Sequence, residues 1–155
     1  MVNQDTLNLL RECSAGTKMA VSSIDEVTDH VTNAKLRKLL AESRQQHETL
    51  GGEIHHFLVQ NNTAEKEPTP MAKGMSWLKA NMKMTMNESD AAIAELMTDG
   101  CNMGVKSLHK YLNQYTDADP ASKSLCRRLA AEEERLHISK GSAGTSKRPY
   151  SSGLI

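Results

Sequence analysis

Two stretches of this chain share a spacing that metal chemistry uses. Glu53-Ile54-His55-His56 and Glu134-Arg135-Leu136-His137 each set a glutamate and a histidine three residues apart. On a helix that spacing puts both side chains on one face and suits them to hold one ion together. A second set mixes softer ligands: Cys13, His47, Cys101 and Glu132, where thiolates beside an imidazole would favour zinc or a similar ion. Seven of the nine methionines fall between Met71 and Met103, including Met82-Lys83-Met84-Thr85-Met86. Thioethers at such spacing could take cuprous copper, but methionines more often fill irregular gaps in a core, and that is their reading here. Cys126 has no histidine or acid placed to orient it, so no nucleophilic triad is drawn. Phosphate-binding glycine patterns are absent from the sequence.

The elements that would position these residues follow from composition and periodicity. The chain has 155 residues, enough for one domain with its own core. Nineteen Lys and Arg balance nineteen Asp and Glu, leaving no net field to attract nucleic acid or anionic lipid. With five aromatic residues and no clustered basic residues, a nucleic-acid partner is not expected. No apolar run is long enough to span a bilayer, and MVNQDTLNLL lacks a basic-then-apolar signal pattern. Three widely spaced cysteines do not make a disulfide framework and fit a reducing compartment. The expectation is a cytoplasmic protein with no membrane partner.

Abundant Ala and Leu, sparse Val and Ile, and no sustained alternation favour helices throughout. The first is expected from Asn3–Asp5 to about Asp29, with Leu10, Cys13, Thr17, Ala20, Ile24 and Val27 on one stripe. Thr32 or Asn33 can cap the second, whose stripe runs Leu36, Leu39, Leu40, His47, Leu50, Ile54, Phe57 and Leu58. It ends in the polar segment Gln60–Pro68. Thr69-Pro70 opens a shorter helix through Trp77, Met82 and Met86. Asn87 is a candidate cap for the next long helix, which carries Ile93, Met97, Cys101, Gly104, Leu108, Tyr111 and Tyr115 on one face. Asp119-Pro120 repeats the cap-plus-proline signal, and Leu125, Leu129, Glu132 and Leu136 are expected inward on the last helix. Gly141 stands where a left-handed C-terminal cap would fall. The predicted fold is all-α: an up-down-up-down four-helix bundle over residues 3–140, with a short extra helix between the second and third long helices. Residues 141–155 are read as a flexible tail.

Trp77-Leu78-Lys79, Met97–Asp99–Gly100, Tyr111 and Glu134-Arg135-Leu136-His137 fall in one order along the chain. In that order they resemble a bacterial family of unknown function built as a ferritin-like four-helix bundle, over roughly residues 5–140. The wider ferritin-like group includes di-iron enzymes and ferroxidases, so the resemblance implies a site to test rather than an activity. Di-iron members take a Glu from each of two helices and a Glu-x-x-His pair from each of the other two. Glu53/His56 and Glu134/His137 would be those pairs, and Glu12 with Asp99 or Glu95 would supply the remaining carboxylates.

Helical phase argues against that assembly. At about 100° per residue, Glu53 and His56 lie about 90° and 150° from the centre of their apolar stripe, and Glu134 and His137 about 160° and 100° from theirs. Glu12 and Asp99 are off the apolar faces as well. His47 and Glu132 instead stand at stripe centres. If the connections near residues 31 and 118 mark one end of the bundle, these two share a layer, with Cys13 and Cys101 close by. A buried carboxylate needs a partner: His47 is the predicted one for Glu132, Arg128 or Arg135 leaning in from the flank of the same helix is the alternative, and the cysteines are read as small buried hydrophobes. The function expected is a structural or interaction module without an intact di-iron centre and with no predicted reaction. The alternative is a metal-binding protein of the iron oxidation, storage or oxidoreductase kind, holding iron or zinc. A homodimer or another protein is the expected partner.

Overall fold

The computed structural model describes residues 2–65, 77–82 and 89–141, with side chains as far as residue 136. The regular structure among those residues is entirely helical, with no strand. Helix α1 runs Gln4–Thr28, capped by Asn3, whose side-chain oxygen accepts from the Thr6 amide at 2.9 Å. Helix α2 runs Ala34–Gln60 behind Asn33, which accepts from the Leu36 amide at 3.0 Å. Its stripe of Leu36, Leu40, Ser43, His47, Leu50, Ile54 and Leu58 is buried at steps of three and four. The chain leaves α2 through Asn62, at φ 53°, a left-handed position that asparagine tolerates. Residues 77–82 form the described part of α3, with Leu78 buried.

Helix α4 runs Asp90–Gln114. Its cap is Ser89, whose hydroxyl accepts from the Ala92 amide at 3.2 Å, so the expected role of Asn87 passes to a residue two positions later. Helix α5 runs Pro120–Gly141, and Asp119 accepts from the Ser122 amide at 2.7 Å, as the Asp-Pro pair predicts. Thr69-Pro70, Asn87, the methionines of residues 83–88 and the expected tail after Gly141 lie outside the described residues. No described helix is long and apolar enough to cross a membrane.

The direction of α4 differs from the up-down-up-down expectation. At the end of α1, the Asp90 carboxylate accepts from the Thr32 amide (2.9 Å), the Thr32 hydroxyl (2.8 Å) and the Asn33 amide (2.8 Å). At the start of α1, Asn3 donates to the Asp117 carbonyl (2.6 Å). There too Asp5 accepts from the Asp117 amide (3.0 Å) and Thr6 from the Asp119 amide (2.8 Å). A helix the length of α1 spans roughly 37 Å at 1.5 Å per residue, so these are opposite ends. Helix α4 therefore begins where α1 finishes and runs antiparallel to it. The connection from α2 must travel from one end to the other, giving an up-down-down-up order.

Helix α1 packs on α2, α4 on α5 and α2 on α5, while α1 also meets α5 and α4. Two apolar clusters result. The lower one joins Leu9, Leu10, Cys13, Leu50, Ile54, Leu58, Leu108, Cys126 and Leu129. The upper one joins Ile24, Val27, Leu36, Leu40, Leu78, Ile93, Leu96, Cys101 and Leu136, with Trp77 packed against it. Between Leu40 and Leu50 on α2, and between Leu129 and Leu136 on α5, the apolar stripe is interrupted by His47 and Glu133.

Candidate functional site: a histidine–glutamate pair at the floor of a cavity

His47 is 1% exposed and Glu133 9%. His47 Nε2 lies 3.1 Å from Glu133 Oε1, and Nδ1 lies 2.7 Å from the Ser43 carbonyl one helical turn back. Both ring nitrogens face acceptors. The two contacts are satisfied together when the pair holds both an Nδ1 proton and a shared proton between Nε2 and Oε1. Burial alone pulls the imidazole down. The hydrogen bond and charge of Glu133, the Ser43 carbonyl and the charge of Glu132 outweigh it, and His47 is held above its ordinary value.

Glu133, not Glu132, is the partner. The buried face of α5 runs Ser122, Cys126, Leu129, Glu133 and Leu136, a four-three-four-three stripe. Leu125 only flanks it, so the expected centre was one residue, or about 100°, out of phase. Glu132 sits at the edge of this face and pairs with Arg135 at 2.9 Å. The signal was present in the sequence: a stripe drawn through Cys126 rather than Leu125 places Glu133 at its centre.

The reversal of α4 separates the two cysteines that were expected to share a layer. Cys13 belongs to the lower cluster and Cys101 to the upper. Cys13 instead neighbours Cys126: hydrogen bonding with that thiol and burial together push Cys13 well above the usual thiol value. Cys126 in turn donates toward the Leu108 carbonyl at 3.8 Å. Both are buried thiols serving as small hydrophobes. The paired Glu-x-x-His stretches also stay apart. Glu53 is exposed and takes Arg128 at 2.9 Å, His56 is exposed with Gln60 at 3.0 Å, and Glu134 is exposed. The His137 side chain lies outside the described residues. Asp99 and Glu95 are exposed too. Among the described residues, no three His, Cys, Asp or Glu side chains gather in a way that could hold a metal ion.

Glu133, but not His47, borders a cavity of about 180 Å³ between α1 and α4. Ala15, Gly16, Ala20 and Ser23 form the α1 wall, and Gly100, Cys101, Gly104 and Ser107 the α4 wall. Leu129 and Glu133 of α5 make the floor, and Trp77 and Leu78 of α3 close the upper end. A Cβ on Gly104 would stand 3.3 Å from the Glu133 carboxyl carbon, so a glycine there leaves room for the carboxylate. A Cβ on Gly100 would meet nothing within 4 Å. Glu12 lines the same space and hydrogen-bonds Tyr111, whose phenol is pushed up first by burial and then by the Glu12 charge. Comparison with protein-family models, curated proteins and solved structures finds no match.

Proposed function

We propose that the chain is a ferritin-like helical bundle with one long crossover, acting as a binding module for a small, largely apolar molecule rather than through a di-iron centre. The cavity between α1 and α4 carries this reading. An apolar cavity of about 150 Å³ is enough to hold a benzene-sized molecule, and the space here is of that order, walled by small residues together with larger apolar side chains such as Met19, Leu96 and Met97, with the oriented Glu133 carboxylate at its floor. Few polar groups converging on an apolar pocket is the usual form of a small-ligand site. The crossover favours the ferritin-like comparison, because that group differs from simple up-and-down bundles by one such connection. The di-iron alternative draws less support, since Glu53 is engaged with Arg128 and His56 with Gln60.

The test uses benzyl alcohol as a neutral probe, followed by ligand-observed NMR and by thermal melting. Binding to the native chain should raise its melting temperature in a concentration-dependent way. Gly100→Leu, which puts a branched side chain into the open space, should keep the helical circular-dichroism signal and abolish that rise. No binding by the native chain, or equal binding by Gly100→Leu, would overturn the reading.

A further inference from the structure

The cavity has a marked charge asymmetry. Its lining includes two carboxylates, Glu12 and Glu133, and no lysine, arginine or histidine among the described residues. Glu12 shares its charge with the Tyr111 hydroxyl at the lower end. Glu133 is placed differently. Its Oε1 accepts from His47 behind the cavity wall, while Oε2 has no hydrogen-bond partner among the described residues. Both oxygens would lie 3.5 Å from a Cβ on Gly104, itself a wall residue, so the carboxylate edge is held at the cavity surface by a glycine. The Glu133 side chain is 12% exposed, so this oxygen is open to an occupant of the cavity rather than sealed among protein donors.

We propose that the occupant is an organic cation: an ammonium group carried on a compact apolar body, its N–H directed at Glu133 Oε2 and its body filling the space between α1 and α4. This deepens the binding-module reading and rests on it. The size of the cavity suits a body of about six to eight heavy atoms, close to the benzene-sized occupant of a comparable void. His47 is the positioning residue. Anchored through Nδ1 on Ser43, it fixes the carboxylate rotamer from behind and leaves the second oxygen for the ligand. An anion in the same place would face two carboxylates, with the His47 ring only behind one of them.

Three probes of one shape separate the charge from the cavity: benzylammonium, benzyl alcohol and benzoate, titrated calorimetrically into the native full-length chain at neutral pH. Because charge-assisted hydrogen bonds are roughly twice as strong as neutral ones, benzylammonium should bind about tenfold more tightly than benzyl alcohol. Benzoate should bind weakest. In Glu133→Gln the ammonium advantage should vanish while benzyl alcohol still binds. Equal affinity for ammonium and alcohol, or preference for benzoate, overturns the cation assignment but leaves the cavity reading standing. An ammonium preference that survives in Glu133→Gln overturns the assignment to Glu133. If that variant does not fold, the ranking on the native chain decides alone, and binding of none of the three overturns both readings.

Discussion

The two faces of α1 use small residues to opposite ends. Toward α2, a Cβ on Gly51 would stand 3.0 Å from Thr17 Oγ1 and 3.5 Å from Thr17 Cβ. Thr17 is 3% exposed and its hydroxyl is tied to the Ser14 carbonyl at 2.8 Å, so it cannot move aside. Glycine there lets two helices touch. Toward α4, Gly100 faces open space, Ala15, Ala20 and Ser23 line the cavity, and a Cβ on Gly16 would only reach ordinary contact with Leu129 at 3.8 Å. One residue class thus encodes closure on one side and a vacancy on the other. What separates the two cases is the element opposite: α2 folds directly back on α1, whereas α4 returns from the far end and is held to α1 by hydrogen bonds at both tips.

The sharpest way to break this contrast is at the cavity floor. His47→Ala leaves Glu133 buried without its donor and should cost about 3–5 kcal/mol in urea unfolding. The double replacement His47→Leu with Glu133→Met should return stability to near the native level, because both polar partners leave together. Gly51→Val comes next, at about 1–3 kcal/mol, since the added methyls meet Thr17. A valine tolerated there would mean the α1–α2 face is no tighter than the α1–α4 face.

A smaller effect follows from protonation. His47 is held above its ordinary value, so the folded chain binds that proton more tightly than the unfolded one. The resulting stability is complete below the unfolded imidazole value of about 6.5 and is lost as pH rises through the folded value. In urea titrations, the stability gap between the native chain and Glu133→Gln should therefore narrow with rising pH. A gap that widens would mean that neutral His47 is the favoured folded form. Gly100→Ala should stabilise by up to about 1 kcal/mol, helix propensity gained with nothing displaced. The smallest change is expected from Asp90→Ala, a half-buried carboxylate at the rim of the bundle, as a fall in melting temperature.

These contrasts also show what the sequence made legible. Capping residues and three-four spacing located α1, α2 and α5 to within a residue or two, because Asn3, Asn33 and Asp119 satisfy amides that only a helix start leaves open. His47 was legible as a buried histidine needing a carboxylate. Its partner was missed by one position, since Leu125 and Cys126 are both plausible core residues and the choice between them rotates the helix by about 100°. The direction of α4 was not legible at all. Residues 61–89 can turn straight back or travel the length of the molecule, and no local pattern distinguishes the two. His47 and its glutamate survive that error because both stand near the middle of their helices. Cys13 and Cys101 do not, which is why Cys126 emerged as the neighbour of Cys13 and why the cavity, a product of how α1 and α4 face each other, had no signature of its own.

The polar ties at the two tips of α1 also shape how the chain reaches this state. Each half of the molecule is a helical hairpin of sequence-local contacts, which form early and fast. The halves meet through Asp90 with Thr32 and Asn33, and through Asn3, Asp5 and Thr6 with Asp117 and Asp119, pairs separated by 57–58 and 112–114 residues. Docking of two preformed hairpins should therefore be the slow step. Fragments spanning residues 1–65 and 77–155, mixed in solution, should find each other and complement into the native assembly.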